Sequence, residues 1–87
     1  MTDVDVAATL LYPIGGITND GLKLGLIDSQ AKAAQNDKWT VTNASTVLMA
    51  FVQDDTAGVA DVCTYSTNTI TLTGSTTGAS TGLIVYK

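Results

Sequence analysis

Apolar and polar residues alternate with a period of two through most of this chain, yet one stretch, VLMAFV at residues 47–52, is apolar at every position. Successive side chains of a strand point to opposite faces. Val47, Met49 and Phe51 are therefore expected on one face and Leu48, Ala50 and Val52 on the other. The closing stretch LIVY at residues 83–86 is likewise apolar on both faces. Only one face of each strand can fill the core of a two-layer domain, so the second needs a cover of its own. A crossing segment such as the N-terminal arm or a neighbouring subunit would supply one, unless the strands are irregular and nothing covers it; contiguous apolar patches above a few hundred Å² are rare on soluble monomers, which favours assembly.

The rest of the chain reads as strands separated by turns. Fifteen of the 87 residues are Thr, a β-branched type at home in a pleated sheet and poor in a helix. KWTVTN sets Trp39 and Val41 against Thr40 and Thr42. VADVCTYS and TITLTG read as a hairpin turning through residues 66–69, with Asn68 the residue most tolerant of positive φ and with Ile70 and Leu72 facing the core. DSQAKAAQND at residues 28–37 lacks a usable apolar stripe and is expected as a loop or one helical turn. STTGASTG at residues 75–82 is expected as a polar loop leading into the last strand. Residues 1–20 alternate Val4 and Val6 with Asp3 and Asp5 and end in Pro13, Gly15, Gly16 and Asn19, the pattern of an extended arm followed by a turn. The expected fold is all-β, a small antiparallel β-sandwich or jelly roll with an extended N-terminal arm over residues 1–20 and a single sandwich domain over 21–87. A β-barrel is the nearest competitor.

Composition narrows the function. Eighty-seven residues make one domain that buries only about 60–65% of its unfolded surface. Cys63 is the only cysteine, so no disulfide framework can reinforce it, and oligomerisation is the remaining supplement. Charged residues make up 14%, against about 25% in ordinary soluble domains, which leaves few charges to coat a monomer. A net charge of −4 with scattered lysines argues against nucleic acid as a partner. No apolar run approaches the roughly 20 residues of a membrane span. The acidic start MTDVDV is the reverse of a signal peptide's basic start. A soluble protein that is not exported by the usual secretory route is expected.

Catalytic motifs are absent. With no His and no Glu in the chain, Cys63 and the five serines have no base, and Asp alone ionises too low for general acid–base work near neutrality. No enzyme activity and no cofactor are expected. QDDTAG at residues 53–58 lacks the spacing of a calcium loop and reads as a solvated turn, and the DVD of Asp3 to Asp5 reads as charge that blunts a strand edge. Cys63 reads as a small buried hydrophobe. GSTTGASTG lacks the Lys and the helix of a phosphate loop. Asn43-Ala44-Ser45 matches a glycosylation acceptor without a secretion context. Trp39 and Tyr86 read as core or interface anchors, with a sugar-stacking platform as the alternative.

Four stretches, LKLGLIDSQAKAAQNDKWTVTN, STVLMAFVQDD, YSTNTITLTG and TGASTGLIVYK, together resemble the small β-sandwich decoration or cement proteins of tailed bacteriophage capsids and related viruses. The resemblance is one of pattern and covers about three quarters of the chain. It implies a virion protein, made in the host cytoplasm, that binds the major capsid protein on the outside of an icosahedral shell. It also implies self-association, with a homotrimer favoured. The residues expected at the interface are Val4, Val6, Leu48, Ala50, Val52, Ile84 and Tyr86. A carbohydrate-binding or adhesion module, such as part of a tail or fibre, is the alternative function.

Overall fold

Among the residues described by the structure, a computed structural model covering 3–14 and 21–87, the alternating stretches form nine strands. These are β1 (Asp3–Val6), β2 (Thr9–Tyr12), β3 (Lys23–Lys32), β4 (Asp37–Val41), β5 (Val47–Asp54), β6 (Ala60–Asp61), β7 (Cys63–Ser66), β8 (Thr69–Leu72) and β9 (Gly78–Tyr86). They make a four-stranded sheet in the order β1-β4-β8-β7 and a five-stranded sheet in the order β2-β3-β9-β5-β6. The chain is all-β and the architecture a small β-sandwich, two open sheets rather than a closed barrel. All pairings are antiparallel except β1 on β4, which is parallel.

The core forms where the period-two pattern is cleanest. Trp39 and Val41 of β4 and Ile70 and Leu72 of β8 are fully buried, facing Ile27, Val47, Val52, Ile84 and Tyr86 of the opposite sheet. Each of these side chains contributes about 1.5–3 kcal/mol by leaving water. Trp39 reaches across the sandwich because Gly82 has no side chain: a Cβ there would sit 3.3 Å from Trp39 Cζ3. Gly25 does the same for Tyr86, since a Cβ would lie 2.5 Å from the ring's Cε1. Gly25→Ala is expected to cost about 1–3 kcal/mol by overpacking, read as a lower midpoint in urea denaturation with an unchanged slope.

The N-terminal segment is extended and folds onto its own chain. β1 lies along β4 in one sheet, the chain crosses, and β2 lies along β3 in the other, so residues 3–12 supply an edge strand to each sheet. The sandwich thus draws on the segment that sequence reading set apart as an arm ending at residue 20. The crossing is fastened by Asn43, whose Oδ1 accepts from Ala8 N at 2.9 Å while its Nδ2 donates to Ala8 O at 2.8 Å. The turn expected at Gly15, Gly16 and Asn19 lies outside the described residues.

Three local expectations fail for tertiary reasons. Residues 28–32 continue β3 instead of forming a loop or helical turn. A bulge at Ser29, with φ of 48°, keeps β3 paired to β9 beyond it, and Ser29 N donates to Thr81 Oγ1 at 3.1 Å. The polar stretch before the last strand is itself strand from Gly78, because Ala79 to Thr81 pair with β3 or β5 on either side. The β7–β8 hairpin turns at Thr67 and Asn68 as expected, but the positive φ, 54°, falls on Thr67. Asn68 is held by β4: its carbonyl accepts from Val41 N at 2.8 Å, and its Nδ2 donates to Val41 O at 3.2 Å.

Candidate interaction surface

β9 runs between β3 and β5, and residues paired directly across strands share a face. Ile84 pairs with Gly25 and Ala50, and Gly82 with Ile27 and Val52, and these point inward. Leu83 pairs with Leu26 and Phe51, and Val85 with Leu24 and Met49, and these point outward. The outer face of the five-stranded sheet therefore carries two apolar rows, Leu26–Leu83–Phe51 and Leu24–Val85–Met49. Phe51 is 66% exposed, Met49 47% and Leu83 41%. Beside them β2 is exposed along its whole length, with Leu10, Leu11 and Tyr12 on an edge free of charge, an unprotected edge of the kind that invites pairing.

The face does not coincide with the residues expected at the interface. Val6, Val52, Ile84 and Tyr86 are buried in the chain's own core, and Val4 and Ala50 pack against it, so only Leu48 of the seven is an exposed apolar side chain. For Ala50 and Val52 the reason is a bulge between Val47 and Met49, whereas Val4 and Val6 of β1 and Ile84 and Tyr86 of β9 belong to the inward-facing sets of their own strands. A bulge adds one residue to one strand and inverts the facing of all that follow. Val47, Ala50 and Val52 consequently point inward while Leu48, Met49 and Phe51 are exposed, so neither alternating set stays together. The available signal was LIVY: its two faces could be separated only by knowing that Tyr86 fills the gap over Gly25.

At one end the sandwich interior is polar. Lys32 Nζ lies 3.0 and 3.1 Å from the two carboxylate oxygens of Asp61 and donates to Gly74 O at 2.7 Å, with both side chains fully buried. Ser80 Oγ donates to Asp61 at 3.4 Å. The bulge at Ser29 turns Lys32 inward, and the two-residue β6 holds Asp61 against Val52. Sequence reading missed this pair because its partners lie 29 residues apart with no local pattern linking them.

The acidic turn after β5 is structural rather than merely solvated. Asp54 is buried and its Oδ1 accepts from Ala57 N, while Asp55 accepts from Ser29 Oγ at 2.8 Å and Thr81 Oγ1 at 2.7 Å. Asp3 accepts from Thr40 Oγ1 at 2.9 Å across the β1–β4 pair. Among the described residues no three His, Cys, Asp or Glu side chains converge as metal ligands. An open cleft of about 660 Å³ runs beside β5, between Phe51, Gln53, Ala60, Cys63, Thr81 and Leu83, and its two carboxylates, Asp55 and Asp61, are those already engaged above.

Cys63 is half-buried rather than fully so, with Sγ 3.9 Å from Ala50 O. Burial pushes its thiol pKa up, and the nearby Asp61 carboxylate adds to the rise. The thiolate is the reactive form, so Cys63 is expected to react with a disulfide reagent at pH 8 more slowly in the folded protein than in urea. Because the folded pKa is the higher one, this group's contribution to stability is complete below the unfolded thiol's pKa and is lost as pH rises through the folded value.

Trp39 is fully buried and Tyr86 nearly so, with Lys23 Nζ 5.5 Å from the centre of the Tyr86 ring. Neither can stack on a sugar, and the platform considered for them does not exist. The aromatic rings at the surface are Phe51, Tyr12 and Tyr65. No helix among the described residues is long and apolar enough to cross a membrane. No family model, no curated protein and no solved structure matches the chain.

Proposed function

We propose that this protein is a structural protein of a viral particle, a decoration protein that reinforces an icosahedral head through protein–protein contacts and carries out no chemistry. The observation that supports the reading best is the uncovered apolar face of the five-stranded sheet, with Phe51, Met49 and Leu83 exposed on it and the bare edge of β2 beside it. A sandwich of this size has little core to spare, and leaving such side chains in water serves no purpose within one chain. The fold and the Thr-rich strands fit the decoration proteins that the sequence pattern resembles. In this role the edge of β2 adds to a sheet of the major capsid protein, with main-chain hydrogen bonds supplying affinity.

The test is co-sedimentation with shells assembled from the major capsid protein of the same virus. Saturable binding, together with shells that withstand higher temperature when coated, is the expected result. Purified protein that stays in the supernatant at every ratio would remove the proposal.

A further inference from the structure

We infer that the outer face of the five-stranded sheet is where two copies of this chain pair across a two-fold axis. The reading goes beyond the shell-binding role but draws on the same face: it assigns the apolar rows to a second copy and leaves the edge of β2 to the shell.

The face has the chemistry of a core that has been left open. Its two rows, Leu26–Leu83–Phe51 and Leu24–Val85–Met49, contain no charged side chain, and Thr81 and Gln53 pair in the next outward row as a polar rim. The exposed fractions of Phe51, Tyr12, Met49, Leu48 and Leu83 alone open roughly 500 Å² of the ~800 Å² per partner of a standard stable interface. Two sheets stack face to face through such rows in every sandwich, about 10 Å apart.

Charge selects the occupant. The chain carries −4 overall, and an anionic partner such as a lipid surface would need a basic rim around the patch. Lys32 is buried against Asp61, Lys23 lies over the Tyr86 ring, Lys38 belongs to β4 of the other sheet, and Lys87, exposed just past β9, is a single charge at one end of the patch rather than a basic rim. The two charge-free rows facing an identical pair meet no like-charge repulsion, and Asp55 beyond the polar rim keeps its bonds to Ser29 and Thr81. A second copy meets that requirement by construction.

Symmetry selects the number. A cyclic trimer joins two different patches head to tail, whereas a single patch that covers itself requires a two-fold axis. The outward face is one contiguous patch, so it points to a pair rather than to the trimer implied by the resemblance. β9, flanked by β3 and β5, lies at its centre and so closest to the axis.

Sedimentation equilibrium on the intact chain over micromolar to submillimolar concentrations tests this. The expected mass is twice 9.0 kDa. Phe51→Asp and Leu83→Asp should each weaken pairing by about 30-fold or more, the loss typical of a central interface residue, with far-UV circular dichroism unchanged. Tyr65→Asp, on the four-stranded sheet, should leave the pair intact. In a Cys63→Ser background, a bismaleimide whose spacer matches the about 10 Å between stacked sheets should join Leu83→Cys into a dimer and leave Tyr65→Cys unlinked, which decides the matter even if an Asp variant fails to fold. A monomer at all concentrations, a trimeric mass, or a dimer indifferent to both Asp substitutions and not trapped by Leu83→Cys would overturn the inference. Shell binding by a strict monomer would overturn it while leaving the decoration role standing.

Discussion

Lys32→Met is expected to destabilise the fold by about 3–5 kcal/mol, the cost of leaving a buried carboxylate without its counter-charge. Of its side-chain partners Asp61 would keep only Ser80 Oγ, at 3.4 Å. For a domain of this size the loss approaches the entire stability, and the melting temperature should fall by about 15–30 °C. Asp61→Asn should be nearly as damaging, since Lys32 then keeps Gly74 O but loses its counter-charge. The double change Lys32→Met with Asp61→Leu should recover most of the loss, because removing both charges removes both desolvation costs. Thermal melts of the wild type, Lys32→Met, Asp61→Leu and the double variant form a double-mutant cycle. If the double variant is no more stable than the worse single one, the pair does more than balance its own burial.

Trp39→Ala is expected to cost a further large sum, about 3–5 kcal/mol, by opening a cavity at the centre of the sandwich. Trp39 packs between Gly82 of β9 and the inward residues of β4 and β8, and the gap cannot close without moving both sheets. Trp39→Phe should cost much less than its lost volume suggests. The indole Nε1 is buried with no hydrogen-bond partner, a defect worth about 1–3 kcal/mol, and Phe removes it. Urea unfolding of the two variants separates the effects. Trp39 is the single tryptophan, so wild-type emission should be blue-shifted, should not respond to sugars, and should move red as the core opens.

The all-β class and much of the core were legible in sequence because they rest on local preferences repeated many times. Threonine-rich alternation placed Ile70 and Leu72 of TITL inside and set Trp39 and Val41 of KWTV on one common face, and all four are fully buried. The doubled apolar faces of residues 47–52 and 83–86 correctly signalled that apolar side chains would remain outside the core. Which residues those are was not legible. Parity counting holds only while a strand is regular, and the irregularity after Val47 reassigns every later residue of β5. Among the expected interface residues this moved Ala50 and Val52, while Val4, Val6, Ile84 and Tyr86 are taken up by the chain's own packing.

The sequence by itself determined that this chain forms strands, that they sandwich a core to which Ile70 and Leu72 turn, and that the apolar residues exceed what one core can hold. These follow from side-chain shape and from a period of two, properties that each residue carries wherever the chain goes. Only the tertiary structure decided the bulges at Ser29 and Leu48, the inward turn of Lys32 onto Asp61, and the outward turn of Met49 and Phe51. Those depend on which strands pair and in what register. An unmatched residue is pushed into a bulge only when neighbouring strands hold the pairing on both sides of it, and no single stretch of sequence contains that constraint.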